Sequence, residues 1–159
     1  MRWLAAPVAL VALAACGKGS ADYTGVANWQ FGTTTLADVT VGRCQPSDLN
    51  DGRKGTWCFG NQPFKVGTKI SEVDLYFDGT VPTSKLIEIQ LSVRGCIEDE
   101  VVQWMTQSFG PPVEERKERA YWKNSFLWAA ALVPQRPGRC RVHLLPLTEE
   151  REIARIRQL

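Results

Sequence analysis

An α+β domain, with one antiparallel sheet, helices packed on a single face and two disulfides, is what this sequence predicts, and three observations carry the prediction. Two stretches alternate apolar and polar residues with the period of a strand that has one wet face. Val73, Leu75 and Phe77 are interleaved with Glu72, Asp74, Tyr76 and Asp78, and Ile87, Ile89, Leu91 and Val93 with Glu88, Gln90 and Ser92. A third stretch repeats apolar residues at steps of four (Ile97, Val101, Met105, Phe109), which is a helical period. Finally, four cysteines, Cys44, Cys58, Cys96 and Cys140, follow an export-type leader, and an even count in an exported chain pairs into disulfides.

The leader consists of Arg2, an apolar run from Trp3 to Leu13, and Leu13-Ala14-Ala15-Cys16. The run is shorter than the roughly 20 residues of a spanning helix, so it suits a cleaved signal better than a permanent anchor. Its end resembles the lipobox of bacterial lipoproteins. That resemblance implies cleavage after Ala15 and acylation of Cys16, and two or more acyl chains give stable anchoring where one does not. Positions 1–15 are then a signal peptide, 16–28 the lipidated cysteine and a polar tether, and 29–159 a single periplasmic domain. Gly17 in place of Asp after the cysteine implies, by the same resemblance, the periplasmic face of the outer membrane. Loss of Arg2 removes one of the chain's 19 basic side chains, against 17 acidic ones. Such a balance offers no electrostatic case for nucleic acid.

In chain order, Thr35 with Asp38 three residues on has the form of a capping box, ahead of a short helix that Gly42 ends. Positions 51–67 are rich in Gly, Pro and Asn around a brief strand, Thr56 to Phe59. The alternating stretches form a hairpin with a longer loop containing Pro82. Glu98, Asp99 and Glu100 place negative charge at the positive end of the following helix, which Gly110-Pro111-Pro112 stops. Glu114 to Arg119 reads as a solvated run of mixed charge. Tyr121, Trp122, Phe126 and Trp128 flank Lys123-Asn124-Ser125, a hairpin turn. From Arg139 to Leu145 the alternation returns, with Cys140, Val142 and Leu144 inward and Arg139, Arg141 and His143 outward. Thr148 is then expected to cap a last helix with Glu149 and Glu150 at its start and Arg155 and Arg157 at its end.

The preferred disulfides are Cys44 with Cys58, closing a short loop full of turn residues, and Cys96 with Cys140, because Cys140 lies on the inward register and Cys96 precedes the main helix. If the later strand neighbours the hairpin, the outward Glu72, Asp74 and Glu88 meet Arg139, Arg141 and His143 as ion pairs.

No catalytic residue, metal or cofactor is expected. His143 is the only histidine, there is no Gly-x-Ser-x-Gly elbow and there is no Cys-x-x-Cys pair. Asp48 to Gly52 has the composition of a calcium loop without its ligand spacing. The lipobox, Phe31-Gly-x-Thr-Thr-Leu-x-Asp-Val39, the sheet hairpin, and a helix closing in Phe109-Gly-Pro-Pro112 before a Trp-bearing strand together resemble small α+β lipoproteins of the SmpA/OmlA family and the β-lactamase-inhibitor-protein-like fold. The resemblance implies a non-catalytic protein-interaction or assembly module in the envelope, with an envelope protein as partner. Candidate contact residues are Tyr121, Trp122, Phe126, Trp128, Arg139 and Arg141. The alternative is an inhibitor of a secreted or periplasmic hydrolase, of lysozyme or β-lactamase type, acting through the disulfide-clamped loop Asp48 to Lys54.

Overall fold

The computed structural model describes residues 23–116, 118–136 and 138–159, so the leader and Cys16 lie outside the described residues. A two-stranded ribbon, β1 (Gly25–Val26) and β2 (Trp29–Gln30), leads into a single 3-10 turn at Leu36–Asp38. Asp38 Oδ2 accepts from the backbone N–H and the hydroxyl of Thr35, at 2.7 and 2.9 Å. The expected cap therefore forms, but the helix stops after one turn. The remaining strands are β3 (Arg43–Asp48), β4 (Lys54–Phe59), β5 (Phe64–Val66), β6 (Lys69–Phe77), β7 (Leu86–Arg94), β8 (Glu114–Arg116), β9 (Arg119–Lys123), β10 (Leu127–Arg136) and β11 (Arg139–Pro146). Two helices complete the chain, α1 (Glu98–Phe109) and α2 (Glu150–Gln158).

The strands form one antiparallel sheet in the order β3-β4-β6-β7-β11-β10-β9-β8, with β5 paired to one end of β6. The alternating stretches are the long central hairpin β6–β7, and β11 lies directly beside β7. Both outer strands are blunted against strand addition. On β3, Pro46 has no N–H to offer, and β8 is three charged residues long. The run Glu114 to Arg119, expected to be an open solvated stretch, thus contributes an edge strand and the first residue of β9.

Strand alternation sorts the buried residues onto two faces. Val73, Leu75, Phe77, Ile89, Leu91, Val93, Trp122, Ala129, Val142 and Leu144 point one way and pack with Val101, Met105 and Phe109 of α1. Their sequence neighbours Tyr121, Trp128, Ala130 and Leu145 point the other way and pack with Ile156 of α2, with Ile153 beside them. The expectation of helices on a single face is corrected: the two helices cover opposite faces. The reason lies in Tyr121, Trp128 and Leu145, which are apolar at outward positions of the register and need a cover of their own.

Both preferred disulfides are present. Cys44 and Cys58 are directly opposite on β3 and β4, and Cys96 ties the approach to α1 onto Cys140 of β11. Thr148 does not cap α2. The N-cap residue is Glu149, without a side-chain cap bond, and its carboxylate is turned instead to Arg53 of the β3–β4 turn.

Candidate functional site

The face that α2 covers is polar at its centre. Asp74 and Tyr76 of β6, Glu88 and Gln90 of β7, and Arg141 and His143 of β11 all project from it, with His143 opposite Gln90, Gln90 opposite Asp74, and Glu88 opposite Tyr76. Of the outward groups expected to pair across neighbouring strands, only Glu88 and His143 come together, on a diagonal, and among the described residues no ion pair joins Asp74, Arg139 or Arg141. Nδ1 of His143 stands 2.6 Å from Oε1 of Glu88, and the Gln90 amide donates to that same oxygen at 3.0 Å. Arg94 pairs with Glu72 farther along the same strands.

Glu88 is 5% exposed and His143 3%. Burial on a face read as solvated comes from two elements distant in sequence. One is α2. The other is the turn between β3 and β4, which the Cys44–Cys58 disulfide holds at its base. The two are latched together. Asn50 donates to Glu152 at 2.9 Å, and Arg53 pairs with both Glu149 and Asp51. Arg155 holds Glu152 from within α2 through Nε, at 3.0 and 2.9 Å from its two oxygens. The hydrogen bond from the Arg155 guanidinium to Glu152 also raises the arginine pKa above its ordinary value.

Between these walls and the sheet lies a cleft of about 390 Å³, with Tyr76, Ile87, Glu88, Gln90, Arg141 and His143 on its floor and sides. Burial pushes the Tyr76 hydroxyl up to about 12, and the carboxylates of Glu88 and Asp74 add to the shift, so at neutral pH it is a hydrogen-bond donor. Burial likewise raises Asp74 above the usual carboxylate range. Replacing both partners of a buried hydrogen-bonded polar pair with apolar groups of the same shape can be nearly neutral or stabilising. A Glu–His pair sunk beneath an open cleft is therefore a feature that packing alone does not explain, and clefts with a few convergent polar groups are where ligands bind.

The residues expected from sequence to make contacts fare differently. Tyr121 is 1% exposed, and Trp122 and Trp128 are buried with it. Tyr121 stacks on Trp128 at 5.5 Å between ring centroids, under the guanidinium groups of Arg116 and Arg157. These three rings are core and are not available to a partner in this conformation, because the hairpin that carries them lies inside the sheet with a helix on each side. Phe126, at 50%, is exposed at the turn, where Asn124 Oδ1 accepts from the backbone N–H groups of residues 126 and 127. Arg139 is exposed and faces Arg94 across the strands, away from the cleft lining, whereas Arg141 is exposed on the cleft itself.

Sequence reasoning named Arg141 as a contact candidate and did not bring Tyr76, Glu88, Gln90 and His143 together on one cleft. The available signal was His143 and Glu88 on outward positions of two apolar-alternating strands. Their burial beneath α2 and the β3–β4 turn has no local signature.

The fold and the cleft define a disulfide-stapled antiparallel sheet protein with a polar cleft latched between α2 and the β3–β4 turn. Comparison of the chain with family models, curated proteins and solved structures finds no match.

Proposed function

We propose that this chain is a lipid-anchored protein of the cell envelope, held through Cys16 on the periplasmic face of the outer membrane, and that it serves there as a non-catalytic interaction module for an envelope protein. The anchor rests on the leader sequence. The interaction role rests on the rim of the cleft, where Asn50–Glu152 and Arg53–Glu149 lock the β3–β4 turn against α2. A polar surface fixed in advance loses less conformational entropy when a partner arrives than one that must be ordered on contact. The hydrolase-inhibitor reading draws less support from the same geometry. A loop that plugs a foreign active site needs its side chains free, and here Asn50, Asp51 and Arg53 are engaged with their own chain.

The test places a photo-cross-linking amino acid at Asp48 or Leu159, both exposed on the rim, and at Val41, which lies outside the cleft lining. One envelope protein captured from both rim positions and not from Val41 is the expected result. Equal capture from all three sinks the docking role. In parallel, Cys16→Ser is expected to release the protein from the membrane fraction, and unchanged retention refutes the anchor.

A further inference from the structure

We propose that the floor of the cleft binds a neutral saccharide. The inference goes beyond docking at the rim, since it assigns a different surface and needs no protein partner.

Five polar groups on the cleft have unused hydrogen-bonding capacity among the described residues: the Tyr76 hydroxyl, Gln90 Oε1, Glu88 Oε2, His143 Nε2 and the Arg141 guanidinium. None is sealed from solvent as an orphaned buried atom. Their supports are fixed. Oε1 of Glu88 holds both Nδ1 of His143 and the Gln90 amide, so Nε2 is the imidazole atom left for a ligand. Groups held in place by a second shell of contacts are what a recognition site requires.

The chemistry of the free groups selects the ligand. The cleft is lined by the acidic groups of Asp48, Asp51, Glu88, Glu149 and Glu152 and by the guanidinium groups of Arg53, Arg141 and Arg155. Arg53 is taken up by Asp51 and Glu149, Arg155 by Glu152 and Asp48 by Lys54, so on the floor an anion is set against Glu88 and a cation against Arg141. Either would leave part of the floor unpaired, and an unpaired buried polar group is costly. A neutral hydroxyl donates and accepts at once, and so it complements Arg141 and Tyr76 as donors, Glu88 and Gln90 as acceptors, and Nε2 of His143 in either role. Ile87 and the ring of Tyr76 supply apolar surface for the C–H face of a sugar ring. The volume of about 390 Å³ falls within the range of roughly 300–1,000 Å³ for small-ligand sites.

Isothermal titration calorimetry tests this on the lipidated full chain in a zwitterionic detergent without sugar headgroups. The probes are chitotetraose, cellotetraose and maltotetraose, the monomers N-acetylglucosamine and glucose, and citrate and spermidine as anionic and cationic comparisons. At least one neutral saccharide is expected to bind with Kd below about 1 mM. Tyr76→Phe, which removes one hydroxyl, is expected to weaken that binding about fivefold, and Arg141→Ala by at least as much, with the circular dichroism spectrum unchanged. Tighter binding of a tetramer than of its monomer assigns a glycan chain, and equal binding a free sugar. The proposal is overturned if no neutral saccharide binds, if citrate or spermidine binds more tightly, or if both variants bind as the parent does. Rim cross-linking on the same preparation keeps the two readings apart, because capture that persists where no saccharide binds leaves docking standing and removes only this inference.

Discussion

Asp74 carries a cost that the fold relieves only in part. Burial raises its carboxyl above the usual range, the Trp57 side chain as a hydrogen-bond donor and the charge of Arg141 oppose the shift, and the charge of Glu72 adds to it. A carboxyl with a raised folded-state pKa holds its proton more tightly folded than unfolded, so its contribution to stability falls as pH rises through the carboxylate range and is a penalty at neutral pH. Asp74→Asn is therefore expected to raise the urea midpoint at pH 7 and to lose that advantage near pH 3, where the parent carboxyl is protonated in both states. An equal shift at both pH values contradicts this account. Tyr121 presents a second local cost, a buried hydroxyl with no partner among the described residues. Tyr121→Phe keeps the ring stacked on Trp128 and is expected to gain about 1 kcal/mol, read from equilibrium denaturation of the oxidised protein; a loss of stability would mean that the hydroxyl is satisfied. At this scale the sequence was informative only in part. It named Tyr121, Trp122 and Trp128 as contact candidates, but whether a ring is core or contact depends on which helix lands on it, and the α2 that covers Tyr121 and Trp128 is set by the last part of the chain.

At the scale of elements, what the sequence made legible was whatever local period encodes. The hairpin β6–β7, helix α1 and strand β11 were readable because each alternates or repeats on its own, and the pairing of Cys96 with Cys140 followed from the register of β11 together with the start of α1. Strand β3 was not readable. Its Arg-Cys-Gln-Pro-Ser-Asp has no apolar alternation, and it is a strand only because β4 and the Cys44–Cys58 bridge hold it at the edge. The two disulfides should differ in weight. By chain entropy, bridging residues 44 apart stabilises by about 4 kcal/mol and bridging residues 14 apart by about 3 kcal/mol. Replacing Cys96 and Cys140 with Ala is thus expected to lower the urea midpoint more than replacing Cys44 and Cys58. The first pair also joins α1 to the sheet, whereas the second holds only the edge hairpin. The reverse order would show that the clamped hairpin carries more of the fold than its edge position implies.

For the whole molecule, the question is why a sheet stapled by two disulfides and covered on both faces keeps an ionisable pair under its second face. The first face shows what the alternative looks like, since Leu91, Val142 and Leu144 fill the same strands with apolar volume and no polar atom to satisfy. Removing one partner of the Glu88–His143 pair, as in His143→Leu, leaves the buried Glu88 carboxyl without that partner and is expected to cost about 1–3 kcal/mol. Replacing both partners, with Glu88→Met and His143→Leu together, removes both polar groups at once. It is expected to leave stability unchanged or raise it slightly. If the pair is kept for the cleft's ligand, the double variant gains or holds stability and loses saccharide binding, a separation that no purely structural role produces. Urea denaturation and calorimetry on the same preparation decide it. A double variant less stable than either single change would make the pair a structural necessity, while one that is as stable as the parent and still binds would remove Glu88 and His143 from the site.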